Sequence, residues 1–359
     1  MKVFVVMMAG GVGTRFWPRS RRKYPKQVLN IVNHETMIQA TYNRLKGIAD
    51  DSDIFIVTNF DQKDIIKENL PNLKESNFIL EPFGRNTAPC IGLTAIHAIK
   101  KDPDSIMLVL PADHIIQNIA EFKEVTQIAI KYTTENDGLI TLGIKPTFPS
   151  TGYGYIQRGE KNAELNKHNI YEVKTFAEKP NHDTAKRFLK SGDFYWNSGM
   201  FIWRTSTILN EVKEKLPEIY QGLLEIKNSI GTSNYTEKVD EVYRRIRGIS
   251  IDYGVMQSAD RVFVIPADMG WNDVGSWETV YDISEKDKNK IAGDFEDLIN
   301  VESSECFVHS PDKVIALVGM KNVLVVDTGD ALLICKKSHS QKVKDVVDHL
   351  HKKGLNELL

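Results

Sequence analysis

The stretch Met8-Ala-Gly-Gly-Val-Gly-Thr-Arg-Phe-Trp-Pro-Arg-Ser-Arg-Arg-Lys-Tyr-Pro-Lys-Gln27 decides how this chain is read. It follows an apolar run, Lys2 to Met8, that has the pattern of a buried first strand. Gly10, Gly11 and Gly13 permit a tight turn and let backbone N–H groups approach a polyphosphate, which any Cβ would obstruct. Arg15, Arg19, Arg21, Arg22, Lys23 and Lys26 add positive charge close behind. Together these features describe a nucleotide-handling loop. No Gly-Lys-Ser/Thr follows the glycines, so this is not a P-loop. It is a poor dinucleotide fingerprint too, because the third glycine is missing and Trp17-Pro18 falls where the phosphate-facing helix would run on. A plain glycine turn with a solvated basic loop is the remaining alternative.

Outward from that loop, composition sets the frame. A chain of 359 residues, 42% hydrophobic and 26% charged, has the make-up of a folded domain plus a smaller one. The net charge of -2 gives no global attraction to nucleic acid or to an anionic membrane, so the basic loop suits a small anionic ligand. Cys90, Cys306 and Cys335 lack metal-ligand spacing; so sparse and odd a set argues for a reducing compartment. The nine histidines form no metal constellation, and His349-x-His351 reads as a solvated face. No run approaches the ~18 apolar residues of a membrane span. Glycines and arginines follow the first apolar segment instead of a cleavage site, so the expectation is a cytoplasmic protein.

The first 145 residues alternate short apolar runs with helical stretches. Strands are expected at Val3–Met8, Ile54–Thr58, Asn77–Leu80, Ser105–Leu110 and Leu139–Gly143. Helices are expected at Thr36–Ile48, Asp61–Leu70, Thr87–Lys100 and Ile119–Thr134, the last with Phe122, Val125, Ile128 and Ala129 on one face. Such alternation predicts a doubly wound α/β class with a mostly parallel sheet, whose ligands bind at the carboxyl ends of strands. The glycine loop, Glu81 and Asp113 all fall just after expected strands. From about 150 to 285 the pattern is less regular. Strands at Tyr153–Arg158, Ile170–Ala177 and Gly199–Arg204 are separated by helices at Asp183–Lys190, Ser206–Leu216 and Thr236–Arg245. The expected organisation is a catalytic domain over 1–285, with a nucleotide half to about 145 and a sugar half from about 150. A charged linker, Glu285 to Lys290, leads into a β-rich domain over 286–359. Its runs Cys306–His309, Lys313–Val318, Val323–Asp327 and Ala331–Cys335 precede a terminal helix with Val343, Val346, Val347 and Leu350 at amphipathic spacing.

The opening stretch resembles the first motif of the sugar-1-phosphate nucleotidylyltransferases, and its Phe16-Trp17-Pro18 and Pro25-Lys26-Gln27 look most like the mannose-1-phosphate guanylyltransferase branch. The resemblance continues at Glu81-Pro-Phe-Gly-Arg-Asn-Thr-Ala-Pro89, Pro111-Ala-Asp-His114, Thr151-Gly-Tyr-Gly-Tyr-Ile156 and Phe176-Ala-Glu-Lys-Pro180. It goes on through Trp196-Asn-Ser-Gly-Met-Phe201, Ser250-Ile-Asp-Tyr-Gly-Val-Met256 and Trp271-Asn-Asp-Val-Gly-Ser-Trp277. It implies a Rossmann-like nucleotidyltransferase domain and a C-terminal module similar to a short left-handed β-helix, although no clear hexapeptide repeat is visible.

The implied reaction is attack by mannose 1-phosphate on the α-phosphorus of GTP, giving GDP-mannose and pyrophosphate. The nucleophile is already anionic, so positioning and cations matter more than a general base. Gly10, Gly11, Gly13, Thr14 and Arg15 would cradle the nucleotide, with Arg15 on the departing pyrophosphate and Lys26 gripping the phosphates. Asp113 and Asp273 would hold Mg²⁺, although each taken alone also fits a turn or N-cap aspartate. Lys179 would hold the sugar phosphate, with Gly152, Glu178 and Asn197 facing the sugar. Guanine offers N1–H and N2–H₂ donors side by side, which a carboxylate accepts together, so Glu81 is the expected base reader, with Gly84 and Asn86 shaping the pocket. The competing reading has Glu81 capping the next helix or pairing with Arg85. Trp196, Met200, Phe201 and Trp271 are expected mostly in the core.

Other functions remain open at this stage. A guanylyltransferase for a heptose or fucose type of sugar 1-phosphate would carry the same chemistry. A catalytically silent regulatory subunit would be expected to lose Lys26, Asp113, Lys179 and Asp273, all of which are present. A Rossmann oxidoreductase lacks its ribose-binding acid. The chain has no room for the phosphomannose isomerase domain of longer relatives, so a single activity is expected. The tail could support a homodimer.

Overall fold

The computed structural model describes residues 1–31 and 34–359. The chain divides into two compact units. One comprises Met1–Gly10, Thr41–Lys63 and Leu70–Asn272; the other comprises Gly11–Ala40, Asp64–Asn69 and Asp273–Leu359. The glycine loop beyond Gly10 thus belongs to the same unit as the C-terminal residues.

The first unit is built on β1 (Val3–Met8), β2 (Ile54–Asn59), β3 (Phe78–Glu81), β4 (Ile106–Pro111), β5 (Ile115–Ile116), β6 (Leu139–Ile144), β7 (Gly154–Leu165), β8 (His168–Glu178), β9 (Phe194–Arg204), β10 (Val262–Pro266) and β11 (Trp271–Asn272). Nine of these form one sheet in the order β3-β2-β1-β4-β9-β6-β10-β8-β7, and β5 pairs with β11 separately. Strands β1 to β4 run parallel, as the alternation with helices predicts. The parallel pattern is then interrupted: β9 enters antiparallel between β4 and β6, and β8 lies antiparallel to both β10 and β7. A long return strand gives the sheet its mixed second half.

Period-2 alternation explains how the strands bury both faces. Phe4 and Val6 align with Met107 and Val109 and join a core with Phe55 and Val57. Against it pack α3 (Thr87–Lys101), α6 (Thr205–Lys215), α7 (Pro217–Ser229) and α8 (Tyr235–Arg245) through Ile91, Ala95, Leu209, Leu223 and Val242. Val5, Met7, Leu108 and Leu110, which alternate to the other face, are equally buried. There α4 (Ile119–Glu135) lies along β4 and β9 with Phe122, Val125 and Ala129 inward. The remaining helices before residue 272 are α1 (Met37–Arg44), α2 (Lys63–Asn69) and α5 (His182–Ser191). No helix among the described residues is long and apolar enough to cross a membrane.

The second unit contains β12 (Ala292–Val301), β13 (Phe307–Val318), β14 (Val323–Asp327) and β15 (Leu332–Lys336), with α9 (Trp277–Ile283) before them and α10 (Val343–Lys353) after. Ala292 stands beside Phe307, and Phe307 beside Leu324, all in parallel register. Each turn of chain therefore stacks on the last, as in a β-helical coil, until β15 reverses antiparallel to β14. Ile291, Cys306, Val308, Leu317, Val323 and Val325 fill its interior. One sequence expectation is corrected here. The expected runs Cys306–His309 and Lys313–Val318 merge into one strand, β13, which begins at Phe307 and continues through Pro311.

Within this unit the basic arm of the glycine loop is tied to distant residues. The Trp17 indole N–H donates to the Leu358 carbonyl at 2.9 Å, and that of Trp277 donates to the Trp17 carbonyl at 3.2 Å. Arg21 reaches the Pro18 carbonyl at 2.7 Å and pairs with Asp330 at 3.0 Å. Phe16 and Trp277 meet edge to face at 5.2 Å.

Candidate active site

In the first unit, the parallel run of β1 to β4 brings Gly10, Glu81 and Asp113 out at one edge of the sheet, beyond the carboxyl ends of β1, β3 and β4. Glu81 is only 5% exposed. Its Oε1 accepts from the Tyr243 hydroxyl at 3.0 Å. Its Oε2 lies 3.5 Å from where a Cβ on Gly10 would be, so the absence of a side chain there leaves that oxygen approachable. Burial pushes the Glu81 carboxyl up to about 7, opposed by the Tyr243 hydrogen bond. Neither alternative role applies. Arg85 donates to the Tyr243 carbonyl at 2.8 Å and lies over the Phe83 ring, while the α3 cap is Asn86, whose side chain accepts from Thr87 N. Gly84 and Asn86 are both exposed beside it, and Asn86 has φ 68°.

Residues of β7 to β9 converge at the same end of the sheet. Because β9 is antiparallel to β4, its early residues return toward the β4 terminus; a Cβ on Gly199 would stand 3.6 Å from Pro111. Asn197 sits beside Gly143, and its Oδ1 accepts from the Thr141 hydroxyl at 3.2 Å and from Gly199 N at 3.1 Å. Its Nδ2 donates to Asp252 Oδ1 at 2.7 Å. Glu178 pairs across from Gly154, where an added Cβ would clash with its carboxylate; its Oε1 lies 3.1 Å from Lys179 Nζ. Lys179 is exposed and holds φ 48°. Gly152 lies on the exposed turn before β7.

Asp252 is the residue that reading by sequence missed. It lies within a quoted motif, yet a single aspartate there has no signature apart from its tertiary partners. Burial pushes it up to about 6, helped by the nearby Glu178 charge and opposed by Asn197. A buried carboxylate beside Asn197 and Glu178 gives this pocket a strong acceptor for hydroxyl groups. Of the aromatic set, Trp196, Met200 and Phe201 are core. Trp271 is half-buried, and its indole donates to His114 Nδ1 at 3.1 Å.

In the second unit, Lys26 is no loose surface cation. It is 5% exposed, its Nζ donates to the Asp273 carbonyl at 2.6 Å, and it lies over the Phe16 ring. Gly13 makes this possible: its φ is 75°, and a Cβ there would come within 2.5 Å of Lys26 Cβ. Thr14 and Arg15 begin a short 3-10 turn, with Arg15 exposed. Gly11 borders Gln27, whose buried Oε1 has no hydrogen-bond partner among the described residues. Among the remaining cations, Arg19 is bonded to Asn30 and Arg21 to Asp330, whereas Arg22 and Lys23 are exposed.

Asp113 in the first unit and Asp273 in the second each offer carboxylate oxygens, the donor class Mg²⁺ takes while retaining water and phosphate ligands. After Asp273 the backbone turns through a sparsely populated conformation. Val274 holds φ 48°, a conformation costing roughly 1–3 kcal/mol in a β-branched residue. A Cβ on Gly275 would sit 3.2 Å from Asp273 Oδ2.

A first parallel strand that leads into a glycine-rich turn, in a sheet whose strand ends gather acidic residues, is the pattern of a nucleotide-binding α/β fold. Residues 4–290 match the family described as nucleotidyl transferase, and residues 296–350 match the MannoseP isomerase/GMP-like beta-helix domain. The mannose-1-phosphate guanylyltransferase RfbM of Salmonella typhimurium is 40% identical over 364 residues, covering 99% of this chain and 74% of that relative. An Escherichia coli protein of the same name is 39% identical over 363 residues, covering 99% and 75%. A crystal structure from Thermus thermophilus, described as a mannose-1-phosphate geranyltransferase, superposes with TM-score 0.87 at 30% identity, covering 98% of this chain and all of that one. The chain belongs to the mannose-1-phosphate guanylyltransferase family of nucleotidyl transferases, and it is an enzyme.

Proposed function

We propose that the protein transfers GMP from GTP to α-D-mannose 1-phosphate, releasing pyrophosphate and GDP-mannose. The observation that carries this reading is the buried Glu81 carboxylate, with one oxygen on Tyr243 and the other approachable past Gly10. Ionised, it accepts from guanine N1–H and N2–H₂ together; uracil and thymine, with one donor between two acceptors, leave it poorly matched.

A sugar-phosphate oxygen forms the new bond to the α-phosphorus as the bond to the β-phosphate oxygen breaks. No base is needed, since the nucleophile carries no proton to remove. The barrier is repulsion between anions, and the chain meets it with fixed cations. Lys26, held by the Asp273 carbonyl, has little freedom to lose when it contacts the nucleotide phosphates. Arg15, exposed beside Gly13, is free to follow the departing pyrophosphate, and Lys179 holds the sugar phosphate. Gly152, Glu178 and Asn197 line the sugar, to which Asp252 is added as an acceptor. Asp113 and Asp273 would hold Mg²⁺, which would supply charge neutralisation between the two phosphates.

The deciding experiment is pyrophosphate release by the purified protein with Mg²⁺, across several nucleoside triphosphates and several sugar 1-phosphates. Release with GTP and mannose 1-phosphate is expected. Release with GTP only when another sugar 1-phosphate is supplied would replace mannose; no release with any pair would overturn the reading.

A further inference from the structure

At the far end of β8 from Lys179 lies a second cluster. An eleven-residue strand extends roughly 30 Å, which separates this cluster from the sugar-phosphate lysine. Strands β7 and β8 join through the turn Asn166-Lys167, and His168 is the first residue of β8. Glu121 and Glu124, three apart in the first turns of α4, share one helix face toward it. His168 is 6% exposed, and its buried Nε2 has no hydrogen-bond partner among the described residues.

The two carboxylates divide their oxygens. Each turns Oε2 toward Lys167, whose Nζ is 3.6 Å from Glu121 and 3.1 Å from Glu124. Each turns Oε1 toward the imidazole, at 3.8 Å from Nδ1 for Glu121 and 3.6 Å from Nε2 for Glu124. Those separations are too long for hydrogen bonds. The 3.6 Å between Nε2 and Glu124 Oε1 is close to the edge of a ligand tetrahedron around a metal with bonds of about 2.1 Å, which is roughly 3.4 Å. The candidate ligand atoms all lie within 4.8 Å of one another.

We propose that Glu121, Glu124 and His168 form a structural site for a first-row divalent cation of the zinc class. Imidazole nitrogen with two carboxylates is a donor set for Zn²⁺, Co²⁺ or Mn²⁺ and a poor one for Mg²⁺, which favours oxygen alone. The cation sits among the two Oε1 atoms and Nε2, so the Lys167 pairs on the Oε2 side stay in place. Solvent completes the coordination, with access past Glu124, whose side chain is 36% exposed. Bound there, the ion clamps the start of α4 to the β7–β8 hairpin and satisfies the buried imidazole nitrogen.

The test uses the full chain, stripped by chelation and held in millimolar Mg²⁺ so that carboxylates favouring Mg²⁺ are filled. Zn²⁺ is titrated calorimetrically, Co²⁺ binding is read by visible absorption, and Tm is measured with and without Zn²⁺. One saturable Zn²⁺ equivalent is expected, with a rise in Tm. Glu124→Gln and His168→Ala should each weaken binding by about tenfold or more and abolish the Tm rise. Glu124→Gln alters a partly exposed side chain and keeps the test open should His168→Ala misfold. Zn²⁺ binding that is absent in the wild type, or retained by either folded variant, overturns the site and leaves an ion-pair cluster. Pyrophosphate release in Mg²⁺ should be unchanged in Glu124→Gln, so this outcome is independent of the nucleotidyl-transfer reading.

Discussion

The Tyr243 hydroxyl donates to Glu81 Oε1 at 3.0 Å, so one oxygen of a buried carboxylate is held while the other stays approachable past Gly10. On the proposed reading, that pairing limits rotation of the carboxylate before a nucleotide arrives, which lowers the ordering cost of base recognition.

Glu81→Gln replaces one acceptor oxygen by an amide donor facing guanine N–H groups. Loss of charge-assisted hydrogen bonds of about 1.5–3 kcal/mol predicts a fall of about 10- to 100-fold in kcat/KM for GTP. Activity with UTP or dTTP should hold or rise. Pyrophosphate release with the three nucleotides checks this; an undiminished preference for GTP would remove Glu81 from base reading.

The same carboxyl is pushed up to about 7 by burial, whereas the proposed guanine contact requires it ionised. GTP binding should therefore release a proton near neutral pH, and KM for GTP should rise as pH falls below 7, by up to about tenfold per unit. Glu81→Gln should flatten that dependence. For folding, the sign is opposite to that of a salt-bridged acid. Between its ordinary value and about 7 the native state holds a proton that the unfolded chain has lost. This group's contribution to stability is thus complete at low pH and declines as pH rises to about 7.

Lys26→Met removes a cation with little space to fill and leaves the Asp273 carbonyl without its 2.6 Å donor. The expectation is a fall of about 100- to 1000-fold in kcat, the range for losing one fixed charge donor at a reacting phosphate. Lys26→Arg should not rescue, because the planar fork does not fit a point-charge position packed under Gly13 and over Phe16. Steady-state kinetics of both variants is the measurement.

Gly13→Ala is predicted to destabilise by about 1–3 kcal/mol, since φ 75° disfavours a side chain and the added Cβ meets Lys26 Cβ at 2.5 Å. A lower denaturation midpoint together with reduced kcat should result. A variant that melts like the wild type would mean the loop can relax without displacing Lys26.

Asp252→Asn keeps shape and removes charge beside Asn197 and Glu178. KM for mannose 1-phosphate should rise about tenfold while KM for GTP stays unchanged. Equal changes in both would point to general loss of packing.

Much of the first half was legible because its signals are local. Val3–Met8 is apolar throughout, and Asn86 and Asn118 mark helix starts that the structure places at Thr87 and Ile119. The type of residue at Glu81 was legible too, since carboxylate chemistry is read from a single letter. Strand direction was not: Phe194–Arg204 alternates equally well in either sense, so the antiparallel entry of β9 had no signature. Helix α7 escaped because Pro217 reads as a break, although it occupies the first helical turn, where its missing N–H costs nothing. Strand β12 was hidden by its exposed polar alternation, Asp294, Glu296 and Asp297. Asp252 depended on Asn197, 55 positions away, a relation no spacing encodes.

The indole of Trp17 reaches the carbonyl of Leu358, and Arg21 reaches Asp330. Both contacts close loops of more than 300 residues. Loops that long close at a larger entropic cost than local turns, so the basic arm gains these anchors only once residues far along the chain have folded into the same unit.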